Sequence, residues 1–330
     1  MATPPPEMRT WGRCSRSSSA LSSQAFNAAM NASIAATAPA ALSGHWFAVI
    51  RFLHSMLESG ADGMIIDGLI IGESSMTTGV LLKRQDAIAT LGIKGRTDLN
   101  LLGPDVFRTL AEQVEQCGRD ESIRAIILRG VGSRAFSAGV DLHEMKDLEP
   151  LSAERFIRSL HAAARGLLNS PLPVVAAIHG PCLGGAFELA LACDICIVAE
   201  DAVFGLPEVR VGLPSVIEAS LLPPTVGLGR ARRLLLTGET IDAEEALQMG
   251  VVDRVVPKAD LEKTALETAQ TFLGMSRYVL AAQKQIVSAW LEMGEEAAAE
   301  YSIKTFSLCF ATPDPHEAMT AFLEKRPPRF

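Results

Sequence analysis

The chain has 330 residues, 48% of them hydrophobic and 21% charged, enough to bury a sizeable core as one or two domains. A net charge of −8 with aromatics at only 5% leaves no broad basic surface and few stacking platforms, so no nucleic-acid partner is expected. No apolar run reaches the roughly 20 residues of a membrane-spanning helix, so no membrane partner is expected either.

In chain order, residues 1–78 read as an atypical N-terminal extension. The stretch 1–42 is rich in Ser and Ala and carries Arg9, Arg13 and Arg16 against a single acid, Glu7. That composition suits an organelle transit peptide, and a disordered tail equally. With residues 1–45 as a transit peptide the destination is mitochondrial, and otherwise cytoplasmic. From residue 79 the pattern becomes orderly. GVLLKRQDAIATLGI predicts two short strands. PDVFRTLAEQVEQC predicts a helix with Pro104 in its first position and Val106, Leu110, Val114 and Cys117 on one face. Strands are expected at 123–130, 173–180 and 194–200, and helices at 154–168 and over GGAFELALAC. After Pro257 the chain turns helical, which separates a core (79–258) from a C-terminal helical region (259–330). Of six cysteines, only Cys193 and Cys196 form a C-x-x-C. They lie in a predicted buried strand, so neither metal nor redox use is expected.

Two glycine-bearing turns carry the chemistry. In AFSAGVDL, small residues and Gly139 stand where a backbone must approach a ligand closely. In HGPCLGGAFELALACD, Gly184 and Gly185 open a helix and leave N–H groups free at its positive end, where an oxygen bearing negative charge can sit. Taken singly, each is also what a tight turn or close packing uses. Glu188 lies one turn up that helix, and Glu208 follows Pro207 in a loop after a strand. Taken singly, either acid is also what a solvated surface position carries.

These segments resemble the crotonase (enoyl-CoA hydratase/isomerase) superfamily. The resemblance rests on AFSAGVDL, HGPCLGGAFELALACDICIVAEDAVFGLPEVRVGLP, LLLTGETIDAEEALQMGVVDRVVP and AMTAFLEKRPPRF, and runs from about residue 85 to the C-terminus. It implies an α/β fold, a spiral of repeated strand–strand–helix units with a C-terminal helical trimerisation region. It also implies acyl-CoA thioester chemistry in a homotrimer or hexamer, with no cofactor beyond the coenzyme A of the substrate. Carried over, the oxyanion-hole donors are the N–H groups of Val140 and Gly185, and the catalytic acids are Glu188 and Glu208. Ala138, Gly139, Asp141, Leu142, His143, Gly184 and Lys325 fall at substrate- or CoA-binding positions, with a loop-bracing role for Asp141. The activity implied is hydration of a 2-enoyl-CoA to the 3-hydroxyacyl-CoA. The alternatives are enoyl-CoA isomerisation, another reaction of the superfamily (decarboxylation, thioester hydrolysis), or a non-catalytic member.

Two departures from the family pattern bear on substrate. His143 replaces a frequent lysine, and Ser215–Ser220 replaces a glycine-rich turn expected to line the acyl pocket. Glu218, in that stretch, reads either as a third active carboxylate or as a surface helix position, and the surface position is expected. Separately, LESGADGMIIDGLIIGESS (57–75) resembles a fragment of dihydrodipicolinate synthase-like aldolases, with Leu69, Ile70 and Ile71 in place of that family's paired threonines. The chain left over does not read as a barrel, so no aldolase chemistry is expected.

Overall fold

The structure, a computed structural model, describes residues 78–330. The transit-peptide-like stretch and the aldolase-like fragment lie outside the described residues.

Strands β1 (Gly79–Gln85) and β2 (Ile88–Lys94) form an antiparallel hairpin whose turn carries Asp86 at φ 53°. Helix α1 (Pro104–Arg119) buries the predicted face, with Phe107 added to it. After β3 (Ala125–Gly130) come the single turn α2 (Leu142–Met145) and the long α3 (Pro150–Leu168). Helix α3 starts four residues before the expected position. Pro150 occupies its first turn, and the Glu149 N–H donates to Ser152 Oγ at 2.8 Å in a capping box. Next are β4 (Val174–Ile178), β5 (Pro181–Leu183), α4 (Gly185–Leu191), β6 (Ile195–Ala199) and β7 (Val203–Gly205). Two 3₁₀ turns, Pro207–Val211 and Ile217–Leu221, lead to α5 (Leu222–Val226) and α6 (Leu228–Thr237). The chain then runs through β8 (Thr240–Asp242), α7 (Ala243–Met249) and β9 (Arg254–Val256). It ends in α8 (Leu261–Gln270), α9 (Arg277–Glu292), α10 (Glu295–Cys309) and α11 (Asp314–Leu323). In helix α10 the apolar residues do not gather on one buried face: Ala298 is buried while Ile303, Phe306 and Leu308 are exposed.

The large sheet runs β1-β2-β3-β4-β6-β9, parallel from β2 onward, and a small sheet runs β5-β7-β8. A strand of the large sheet is twice followed by a short strand of the small one, β4 by β5 and β6 by β7, which matches the expected repeating unit. Both faces of the inner strands are covered, so β3, β4 and β6 are near-continuous apolar runs, while the edge strand β1 is mostly exposed. In β3, Ile126 and Leu128 face the main core with Phe107, Leu110 and Leu160. Ala125 and Ile127 face a second layer under α8, with Leu261, Ala265 and Ala269. Lys284 ties α9 to this frame, pairing with Asp194 at 2.6 Å while Asp194 accepts the Val174 N–H at 2.7 Å.

Candidate active site

The two glycine turns are bound to each other along their length. The Phe136 N–H donates to the His179 carbonyl at 2.7 Å and the Ser137 N–H to the Pro181 carbonyl at 3.0 Å. The Leu183 N–H returns a bond to the Ser137 carbonyl at 3.1 Å. Asn100, buried and at φ 52°, holds the first turn from behind. Its Nδ2 donates to the carbonyls of Val131 at 2.9 Å, Ala135 at 3.1 Å and Phe136 at 3.2 Å. Nothing in the local pattern announces this role, because its partners lie in another segment.

Between residues 136 and 141 nearly every amide is occupied. Ala138 donates to the Leu99 carbonyl at 2.9 Å, Gly139 to Ser137 Oγ at 3.1 Å and Asp141 to the Leu102 carbonyl at 2.8 Å. Val140 is the exception: among the described residues its N–H has no acceptor. In the second turn the Gly184 N–H bonds the Gly205 carbonyl at 2.9 Å, and those of Phe187 and Glu188 bond back to Gly184. The N–H groups of Gly185 and Ala186 have no acceptor among the described residues. A Cβ on Gly185 would lie 3.3 Å from Val140 Cγ1, so the open amides of Val140 and Gly185 adjoin. Gly139 takes φ 99°, and a Cβ there would meet the Leu183 carbonyl oxygen at 2.8 Å. Two unpaired amides side by side can donate to one oxygen that gains negative charge.

Asp141 is consumed in holding this turn. It is 1% exposed, caps α2 by accepting the His143 N–H at 2.9 Å, and pairs with Arg96 at 3.0 Å. Leu142 and His143 are exposed on α2, and Ala138 is half-buried. Lys325 stands exposed beyond the C-terminal end of α11, at φ 56°, with no contact to these turns among the described residues.

The two acids converge on the second turn. Gly184 sits at φ 55° and ψ −130°, and a Cβ on it would lie 2.7 Å from Glu208 Oε1. Glu208 is thus laid against the glycine that precedes the open amide of Gly185. It is half-buried in the 3₁₀ turn opened by Pro207, and Ser215 Oγ donates to its Oε2 at 2.7 Å. Burial raises the Glu208 carboxyl above its ordinary range, and the Ser215 bond holds part of that rise back. Glu188 is 2% exposed and its Oε2 has no hydrogen-bond partner among the described residues. Burial, then the charges of Glu208 and Glu218, push its carboxyl up to about 9, against the backbone amides of Val216 and Glu218 that favour the charged form. One acid pushed towards its protonated form and a nearby acid with a hydroxyl partner is an arrangement able to do acid–base chemistry.

Glu218 corrects the expectation of a surface position. It is 3% exposed, its Oε1 lies 2.9 Å from His161 Nδ1 on α3, and its Oε2 has no partner among the described residues. The reason is backbone conformation: Ile217 takes φ 42°, which turns the next side chain inward instead of continuing a helical face. Cys193 and Cys196 are free thiols, and burial pushes the Cys196 thiol up to about 12, which makes it a packing residue.

A model of the family described as enoyl-CoA hydratase/isomerase matches residues 83–330. The short-chain-enoyl-CoA hydratase of Clostridium acetobutylicum is 34% identical over 248 residues, covering 75% of this chain and 95% of that protein. The crotonyl-CoA hydratase of Syntrophomonas wolfei is 33% identical over 252 residues, covering 76% and 97%. Among solved structures, the enoyl-CoA hydratase from Bacillus anthracis is similar with a TM-score of 0.73 at 29% identity, covering 76% of this chain and 98% of that one. With its glycine turns, open amides and paired glutamates in one place, this chain belongs to the enoyl-CoA hydratase/isomerase family.

Proposed function

We propose that the protein is an enoyl-CoA hydratase in which Glu188 and Glu208 work as a pair on one water molecule. The thioester oxygen sits between the N–H groups of Val140 and Gly185. One glutamate takes a proton from water as its oxygen bonds to C3, and the other gives a proton to C2. The π electrons of the C=C bond move into the thioester while the O–C3 bond forms, and return as the C2–H bond forms. The product is the 3-hydroxyacyl-CoA. Each oxyanion-hole donor contributes typically ~3–4 kcal/mol to such a step. Water and protons are all that move, so the reaction needs no cofactor beyond the coenzyme A of its substrate.

The observation that carries this reading is the position of Glu208 Oε1 against Gly184, with Glu188 one turn up the same helix. Both acids then border the carbon atoms next to the thioester. An isomerase, which shuttles one proton along the acyl chain, needs only one of them. The test is crotonyl-CoA hydration by Glu188→Gln and Glu208→Gln, followed by loss of the enoyl thioester absorbance. Each is expected to fall by about 10²–10⁴-fold with acyl-CoA binding retained. Near-parent hydration by Glu188→Gln would refute the pair.

The oligomer we propose is a homotrimer or a dimer of trimers, built on the C-terminal helices. In support, Trp290, Ile303, Phe306, Leu308 and Phe322 are exposed apolar residues on α9 to α11. Light scattering at micromolar concentration tests this, and a monomer would refute it. Lys325, and His143 in place of the usual lysine, are the proposed contacts to the coenzyme A phosphates.

A further inference from the structure

Glu218 is a buried acid that the two-glutamate scheme does not use. It sits where the family's glycine-rich turn is replaced by Ser215–Ser220. The chain reaches it through Ile217 at φ 42°, a conformation that β-branched residues rarely adopt. This bend sends the Glu218 carboxyl inward and sets the amides of Val216 and Glu218 against Glu188. Strain of this kind persists where the surroundings hold it and tends to gather at functional sites.

The surroundings divide two buried acids unequally. Burial raises the Glu218 carboxyl, and His161, 2.9 Å away and about half exposed, and the charge of Arg165 on the same helix hold part of that rise back. Glu188 has no ion pair among the described residues, and what bears on it most after burial is the charge of Glu208 and Glu218, opposed by two backbone amides. Each of Glu188 and Glu218 also keeps one buried oxygen without a hydrogen-bond partner among the described residues. Two like charges buried near each other do not both ionise readily, and the proton goes to the one less well compensated.

We propose that Glu218 and His161 form a positioning pair for the reaction: Glu218, paired with His161 Nδ1 at 2.9 Å, acts through Glu188 by disfavouring a second buried charge beside it. The pair touches no reacting atom. It sets which acid of the site enters the cycle protonated. This inference rests on the hydratase reading only for its kinetic readout.

The experiment is a difference-infrared titration of the carboxylic-acid C=O stretch in the full chain, with the Glu188 band identified by its loss in Glu188→Gln. In Glu218→Gln, which keeps the shape and removes the charge, the Glu188 midpoint is expected to fall by about one pH unit or more. The limb of the kcat/KM profile for crotonyl-CoA that reports Glu188 should move to lower pH with it. In His161→Gln, Glu218 loses its imidazole partner. A second protonated-carboxyl band is then expected at neutral pH, absent from the Glu218→Gln/His161→Gln double variant. Because His161 is half exposed, this arm carries little folding risk if Glu218→Gln does not fold. An unmoved Glu188 midpoint in Glu218→Gln, or no new band in His161→Gln, would overturn the proposal. If the infrared shifts appear in a protein that does not hydrate crotonyl-CoA, the pair stands and the hydratase reading falls.

Discussion

Replacing Gly184 by Ala tests the geometry of the site with a single methyl group. The perturbation has two parts. At φ 55° and ψ −130° the position lies in a region nearly closed to L-residues, so the backbone cost is about 1–3 kcal/mol. The added Cβ would lie 2.7 Å from Glu208 Oε1, and the carboxylate must retreat by about 0.7 Å to reach the 3.4 Å of ordinary contact. Misplacing a catalytic group by about 1 Å costs on the order of 10²-fold in rate. The expected result is therefore a loss of about two orders of magnitude in kcat/KM for crotonyl-CoA. The melting temperature should fall by roughly 2–4 °C for each kcal/mol of strain. A Gly184→Ala/Glu208→Gln double variant separates the two parts. With the acid already removed, the methyl group should add little further rate loss, while the stability loss should remain. If Gly184→Ala hydrates near the parent rate, or if its rate loss is additive with Glu208→Gln, Glu208 is not held against this turn for catalysis.

Glu188→Gln should stabilise the fold while abolishing activity. The folded carboxyl is raised to about 9, above its ordinary value of 4.5, so the unfolded chain releases this proton first. Stability is then lost as pH rises from about 4.5 to about 9, and the Gln variant should melt higher than the parent at pH 8 but not at pH 4. An equal melting difference at both pH values would contradict this. Ser215→Ala removes the hydroxyl that favours the Glu208 carboxylate, so the limb of the pH–rate profile reporting Glu208 should move to higher pH. No shift would show that the hydroxyl does not tune this acid. Asp141→Ala removes the cap of α2 and should cost ~1–2 kcal/mol in chemical denaturation. Hydration should fall as well, because Val140 is the adjoining residue; a variant of parent stability would refute the bracing role.

Local signals carried most of the frame. Pro104 and the apolar period of α1 fixed a helix that depends on nothing distant, and the unbroken apolar run of β3 announced a strand buried on both faces. The two glycine turns were legible because their function requires small residues in a fixed order. Glu188 and Glu208 were legible through the family pattern, since neither residue in isolation differs from a surface acid. His161 and Asn100 were not legible as neighbours of these turns, and Ser215 and Glu218 were legible only as part of the stretch expected at the acyl pocket. Their roles arise from contacts between segments far apart in the chain, and for Glu218 from a positive φ at a β-branched residue, which no binary pattern encodes.

That division has a physical cause. A buried acid without a full set of partners destabilises the state that contains it, so it must be imposed by a frame whose own polar groups are satisfied. Asn100 spends its Nδ2 on three carbonyls, Asp141 spends both carboxylate oxygens on Arg96 and the His143 amide, and the backbone ladder from Phe136 to Leu183 closes on itself. Against that background stand the open amides of Val140 and Gly185 and the unpartnered oxygens of Glu188 and Glu218, with Gln113 Oε1 and His179 Nε2 as further buried atoms without a partner among the described residues. In the proposed reaction a thioester oxygen would supply what the amides lack, and a water molecule what Glu188 lacks. The groups that cost stability would then be the groups that gain partners when substrate binds. Binding energy would thereby be directed to the atoms that react.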